Sequence, residues 1–338
     1  MAKYCILSID GGGLRGVVPL TILKTIEAKT GKRIHELFNF IAGTSTGGLI
    51  TAAISVKDPL NPTMPLYTLD DVINVYVHRG HEIFPERTKI GNILHGAEDL
   101  FRPKFSDAGI KKMFTDVLKN YKMLDCLNDI MICSYDLNNN LPLFFKSRAA
   151  RLNAAQNVLL YDACRATSAG PSYLPSYEFF YPNDAENPNR NCIDGGVYVN
   201  NPSMAALVEF SKYHNDYLPS LAAETDIDYD DVFVLSLGTG GYTGKLNDAD
   251  TLNKGEIYWA QQISEIMMRG VNRATDYEMK EMMNAGNYLR LTIDIDTDTH
   301  SEMTNSSSET TQYLVAATNT MLAQKDNDIN NFINKILS

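Results

Sequence analysis

The sequence predicts an α/β protein with a mainly parallel central sheet covered by helices on both faces. Three observations predict it. Short, continuously apolar runs alternate with longer segments of helical period, which is how doubly buried strands and their covering helices read in a sequence. Glycine-rich turns sit where an apolar run gives way to a helical segment, as tight strand-to-helix crossings require. A chain of 338 residues that is 44% hydrophobic and 21% charged can bury the core such a fold needs.

Taken in order, Tyr4–Ile9 is the first strand candidate, and residues 17–29 form a helix stopped by Gly31. A second strand is expected at 38–42, a helix at 46–56, and further strands at 129–135, 143–147, Val232–Leu237 and 288–294. Asn201 reads as the N-cap, and Pro202 as the first position, of a helix over 202–213. Near the end Ile329, Phe332, Ile333, Ile336 and Leu337 share one helical face, which suits packing better than membrane insertion. The polar stretches 183–191, 240–255 and 296–308 read as surface loops, too short and too mixed to divide the chain. Residues 1–338 are therefore expected to form a single domain.

The formal net charge of -11 argues against nucleic acid as a partner, because a phosphate backbone needs a basic face. No run approaches the roughly 20 apolar residues of a spanning helix. The chain passes from Met1 almost at once into a strand, so no ordinary signal peptide is expected. Cys5, Cys126, Cys133, Cys164 and Cys192 are an odd set without a close pair, which suggests neither a disulfide framework nor a zinc site. A cytoplasmic location, or a peripheral one at membranes, fits. The acidic run Asp294, Asp296, Asp298 lacks the glycine and distal glutamate of a calcium loop, and neither metal nor cofactor is expected.

Three motifs carry chemistry. Gly43-Thr44-Ser45-Thr46-Gly47 lies between a strand and a helix, the context of a nucleophile elbow, where glycines two positions either side let strand and helix approach. The positive end of the helix dipole then lies beside the hydroxyl. Asp10-Gly11-Gly12-Gly13-Leu14-Arg15-Gly16 offers bare amides at a helix start, which could hold a dinucleotide's pyrophosphate, an oxyanion, or only a tight turn. The dinucleotide reading fails because it wants an acidic residue closing the second strand, whereas Glu36 lies ahead of that strand. Asp194-Gly195-Gly196 can be an Asx turn, or can aim a carboxylate at Ser45 to take its proton.

In order and context these motifs resemble the patatin-like phospholipases, as do Ala166-Thr167-Ser168-Ala169-Gly170-Pro171 and Leu235-Ser236-Leu237-Gly238-Thr239-Gly240. The resemblance spans about residues 4–240, with 241–338 expected to complete the same domain with helices. It implies that family's three-layer fold and a lipid acyl hydrolase working through a Ser-Asp dyad, Ser45 as nucleophile and Asp194 as proton acceptor. It assigns the amides of Gly11, Gly12 and Gly13 to the oxyanion hole, with Asp10, Arg15, Gly16, Gly43, Gly47, Gly195 and Gly196 in support. The implied substrate is a phospholipid or galactolipid, cleaved through an acyl-serine during transient contact with a membrane surface. A regulatory partner is compatible with it. Little in the last hundred residues resembles the family, which makes that region a place for headgroup and chain-length preference.

Two rival readings stay open. A Ser-Asp-His α/β-hydrolase for soluble esters needs a histidine after Asp194, and only His214 and His300 follow it, the latter in a polar stretch that reads as solvated. A catalytically silent storage or scaffold protein on the same fold is opposed by the intact glycine loop, serine and aspartate. Arg15 either steadies the loop through an ion pair or meets a lipid phosphate, and Asp10 orders the loop by hydrogen bonds. Met267, Met268, Met279, Met282 and Met283 suit either an adaptable acyl channel or ordinary core packing.

Overall fold

The computed structural model describes residues 3–85, 103–118, 120–181, 188–217, 229–244 and 255–338. Its strands are β1 Tyr4–Ile9, β2 Phe40–Thr44, β3 Asp129–Asp136, β4 Leu141–Lys146, β5 Tyr177–Phe180, β6 Asn189–Asp194, β7 Val232–Leu237, β8 Gly241–Tyr242, β9 Tyr288–Leu291 and β10 Asp294–Ile295. The main sheet runs β5-β6-β3-β2-β1-β7-β9, with β4 on β3. From β3 through β9 neighbours are parallel, while β4 and β6 lie antiparallel to β3, and β5 antiparallel to β6. A separate pair joins β8 and β10.

The helices are α1 Val17–Thr30, α2 Ile34–Leu37, α3 Thr46–Ser55, α4 Leu69–Ile83, α5 Ala108–Leu118, α6 Ser147–Leu152, α7 Leu160–Thr167, α8 Ser203–Tyr217, α9 Glu256–Met282, α10 Asp298–Ser301, α11 Ser308–Gln324 and α12 Asp326–Leu337. Side chains alternate across the strands and sort the core into two layers. Leu7, Ile41, Ile132 and Leu235 point to one face, under α1, α3, α5 and α12. Ile6, Phe40, Met131 and Val234 point to the other, under α8 and the Met279 end of α9. Both faces are covered, which is why these strands are apolar at nearly every position instead of every second one. Among the described residues no helix is long and apolar enough to cross a membrane.

Several boundaries differ from the sequence reading. β2 begins at Phe40, not at 38, because Ile34–Leu37 closes a helical turn with Glu36 bonded back to the Arg33 N–H. That shift carries the strand to Thr44, directly into Ser45. Residues 189–191 are strand instead of loop, paired with β5, and positions 183–187 lie outside the described residues. Of the stretch 240–255, Gly241–Tyr242 forms β8, and 245–254 lie outside the described residues. The expected strand 288–294 is divided, its first part joining β7 and Asp294 joining β8. The helix after Asn201 starts at Ser203, and the Asn201 side chain accepts from the Ser203 N–H at 3.1 Å. Ile329, Phe332 and Ile333 are core residues, as the amphipathic pattern implied. All five cysteines are buried thiols.

Candidate active site

Ser45 occupies the turn between β2 and α3 with φ 54° and ψ -123°, a backbone conformation that costs a non-glycine residue about 1–3 kcal/mol. The crowding around it explains the flanking glycines. A Cβ on Gly43 would stand 2.2 Å from the Gly47 carbonyl oxygen, and one on Gly47 would stand 2.0 Å from that of Ile9. The Ser45 N–H donates to Thr167 Oγ1 at 2.8 Å, and that hydroxyl donates to the Cys133 carbonyl. Thr167, to which the sequence reading gave no role, thus fixes the turn against β3.

Asp194 ends β6, and β3 places it. Cys133 pairs with Thr44 of β2, while the next residue, Ser134, pairs with Asp194 of β6. Since β4 covers residues 131–136 of β3 on the other edge, β2 and β6 share one edge and meet end to end. Two chain ends about 150 residues apart therefore converge on adjacent residues of one strand. Ser45 Oγ donates to Asp194 Oδ2 at 2.5 Å, and Asp194 Oδ1 accepts from the Gly196 N–H at 2.7 Å. A Cβ on Gly195 would meet the Cys133 carbonyl oxygen at 2.5 Å, so the Asp-Gly-Gly turn needs that glycine to lie on β3. Burial pushes the Asp194 carboxyl up to about 6, against the lowering effect of these two hydrogen bonds. A carboxylate so tuned is ionised at neutral pH yet close enough to it to exchange a proton with the hydroxyl it holds.

The glycine loop leaves β1 beside this pair. The Gly11 N–H is bonded to the Asn200 carbonyl at 3.1 Å, which removes it from the trio of amides expected to face an oxyanion. The N–H groups of Gly12 and Gly13 have no acceptor among the described residues. Thr239 Oγ1 donates to the Gly11 carbonyl at 2.7 Å and lies so close that a Cβ on Gly12 would approach it to 2.1 Å. Gly16 is packed on Tyr76, and Gly196 on Asn200 and Asp194.

Asp10 anchors the loop from below. Its carboxylate is fully buried and takes two bonds from Arg290 of β9, at 2.8 and 2.5 Å, while Arg290 also donates to Ser236 Oγ at 2.7 Å. A charged residue inside the apolar run Tyr288–Leu291 was the available signal for Arg290, since a buried cation needs a buried anion. Arg15 is buried and donates to the Ser301 carbonyl at 3.0 Å, and the Leu14 N–H donates to the Met303 carbonyl at 2.8 Å. The stretch 296–308, expected as a surface loop, therefore docks on the glycine loop and contains α10.

A cavity of about 350 Å³ runs between α3, α4 and α5, lined by Ser45 and Gly13 and also by Asp71, Arg79 and Asp116 on α4 and α5. Leu49, Val72, Val75, Ile110, Met113 and Phe114 make it apolar. The clustered methionines in and just after α9 do not line it: Met279 and Met283 are core, Met268 half-buried, Met267 and Met282 exposed. His300 Nδ1 is bonded to Thr310 Oγ1 at 2.8 Å with its ring stacked on Tyr313, and His214 is buried with Nδ1 3.1 Å from the Ser211 carbonyl. Among the described residues the partners of the Asp194 carboxylate are Ser45 and Gly196, with no imidazole between serine and acid.

The family model of the patatin-like phospholipases matches residues 7–207, which takes in all three motifs. Patatin-like protein 3 of Arabidopsis thaliana is 30% identical over 314 residues, covering 85% of this chain and 73% of that protein. Patatin-like protein 1 of Oryza sativa subsp. indica is 31% identical, covering 86% and 74%, and Patatin group J-1 of Solanum tuberosum is 28% identical, covering 94% and 83%. With the family model matched over more than half its length and relatives aligned along most of it, this chain belongs to the patatin-like phospholipase family.

Proposed function

We propose that the chain hydrolyses fatty-acyl esters of membrane phospholipids or galactolipids through an acyl-serine intermediate. Family membership supports a lipid acyl hydrolase in general. The observation that carries the finer reading is the 2.5 Å contact of Ser45 Oγ with Asp194 Oδ2, with Ser45 lining an apolar cavity. In this reading Ser45 Oγ attacks the ester carbonyl carbon while its proton passes to Asp194. The N–H groups of Gly12 and Gly13 hold the oxyanion. Collapse of the tetrahedral intermediate expels the alcohol, which takes the proton from Asp194, and leaves the acyl group on Ser45. Water then attacks the acyl carbonyl, giving its proton to Asp194, and fatty acid leaves as Ser45 is reprotonated. The apolar cavity receives the acyl chain, and contact with the lipid surface is transient.

Ser45→Ala tests this. The variant should fold, with an unchanged circular dichroism spectrum, and lose at least ~10³-fold in kcat on a lipid ester. A folded Ser45→Ala protein with wild-type activity would exclude the proposed nucleophile.

A further inference from the structure

The stretch Leu235-Ser236-Leu237-Gly238-Thr239-Gly240 carries no group that reacts, yet its end lies against the glycine loop. β1 and β7 run parallel with Ile9 beside Leu237, and the Asp10 N–H still donates to the Leu237 carbonyl at 2.9 Å. Continued in that register, Gly11 comes beside Thr239. Two glycines shape the approach. The Gly238 N–H donates to the Leu291 carbonyl at 2.8 Å, and a Cβ there would stand 2.3 Å from Thr292 Oγ1. Gly240 then turns the chain away with φ 88°, a conformation that favours glycine. Thr239, buried between them, does not line the cavity, and its Oγ1 donates to the Gly11 carbonyl at 2.7 Å. The Asn200 amide adds a longer bond to the same oxygen, at 3.4 Å.

A trans peptide is planar, so its C=O and N–H point to opposite sides. The oxygen that Thr239 holds belongs to the peptide unit whose N–H is that of Gly12, and among the described residues every peptide is trans. Fixing the oxygen therefore fixes the direction of the Gly12 N–H. Without that hold a peptide flanked by two glycines turns easily, because glycine accepts both signs of φ. Resting on the ester-hydrolase reading, we infer that Thr239 is a positioning residue for the oxyanion hole. Its hydroxyl sets the Gly11–Gly12 peptide so that the Gly12 N–H meets the oxygen of the tetrahedral intermediate. A donor aimed in advance costs no reorganisation when the charge develops, whereas one that must first turn loses part of its benefit. Since Thr239 lies off the cavity, its effect falls on the transition state and not on binding of the ground-state ester.

The test is Thr239→Val, which keeps the shape of the side chain and removes the hydroxyl, beside Thr239→Ser, which keeps the hydroxyl. On a lipid ester Thr239→Val should lose about 10- to 100-fold in kcat with KM unchanged within about twofold, a smaller loss than the roughly 10²- to 10³-fold that follows deletion of an oxyanion donor itself. Thr239→Ser should stay within about threefold of the wild type, because its hydroxyl can make the same bond. Thr239→Ala, which also relieves the contact of a valine methyl with the Gly11 carbonyl, should behave as Thr239→Val does. A long-chain trifluoromethyl ketone supplies a readout that a packing defect would not give, since its adduct with Ser45 carries the oxyanion. Its inhibition constant should weaken by the factor lost in kcat/KM, whereas that of the matching fatty acid should not change. Wild-type kcat in Thr239→Val and Thr239→Ala overturns the inference while leaving the hydrolase intact. Equal damage by valine and serine, or equal weakening of ketone and fatty acid, overturns it too, because either marks lost packing instead of a misdirected amide. If the wild type cleaves no lipid ester and does not bind the ketone, the hydrolase reading fails and the role of Thr239 falls with it.

Discussion

Replacing Asp194 by asparagine should abolish activity and at the same time stabilise the protein at alkaline pH. Burial raises this carboxyl from 3.8 to about 6, a shift of roughly two units, so holding it ionised in the folded chain costs about 3 kcal/mol at 1.36 kcal/mol per unit. Asparagine keeps the local hydrogen bonds: its carbonyl accepts from the Gly196 N–H, and its amide donates to Ser45 Oγ. The charge is removed without leaving an orphaned group. The sign follows from linkage. A folded-state pKa above the unfolded value means that the wild type loses stability as pH rises from about 4 to about 6, whereas the variant does not. The difference should be absent below pH 4 and complete above pH 7. With about 2.1 cal/mol/K of unfolding entropy per residue, 338 residues give ~0.7 kcal/mol/K, and the gain at pH 8 is about 4 °C in Tm. Calorimetry of both proteins at pH 4 and pH 8, beside kcat on one lipid ester, checks both halves. A pH-independent Tm difference, or a loss of stability at pH 8, would refute the buried-charge argument. Loss of less than ~10³-fold in kcat would refute the assignment of Asp194 as base.

Two further outcomes are expected. His300→Ala and His214→Ala should each retain most of the activity, because neither ring stands between Ser45 and Asp194. Kinetics of the two variants matter more than the pH profile, since an acid limb near 6 could come from either type of base, and inactive but folded His300→Ala would favour a triad. Arg290→Met should destabilise the chain by about 3–5 kcal/mol in denaturant unfolding, because it leaves the Asp10 carboxylate buried without its partner. Adding Asp10→Asn should recover much of that loss, and a neutral single variant would show that the pair does not hold the loop.

The parallel sheet and the elbow were legible because their causes are local. An apolar run, a glycine-flanked serine and a helical period are fixed by neighbours in sequence, so β1, β7 and the β2–Ser45–α3 crossing read almost as they stand. The two-residue error at the start of β2 arose because a short helical turn at Ile34–Leu37 competes with an apolar strand for the same residues. β5 and the outer part of β6 were missed because Glu178 interrupts the four aromatic-rich residues of β5 and Asn189, Arg190 and Asn191 make the outer part of β6 polar, so neither reads as a continuous apolar strand. Gly11 was assigned by position in a motif. Its amide is bonded to Asn200, a contact across 189 residues that spacing cannot reveal.

What the sequence could not convey is how much of the site depends on β3 and on the last quarter of the chain. Ser45 and Asp194 carry the recognisable motifs, but their distance is set by consecutive residues of a strand without any motif, Cys133 and Ser134. A register error of one residue there would shift β6 along β3 by more than 3 Å and break the 2.5 Å contact. The glycine loop likewise rests on partners outside the family match at 7–207: Arg290 beneath Asp10, Thr239 on Gly11, Ser301 on Arg15 and Met303 on Leu14. Those contacts use two backbone carbonyls, one threonine hydroxyl and one buried cation, so most of them depend little on which side chains the region carries. The reactive groups are thus written in short motifs near the strand ends, and their relative placement is distributed over residues whose identity matters mainly through packing and register.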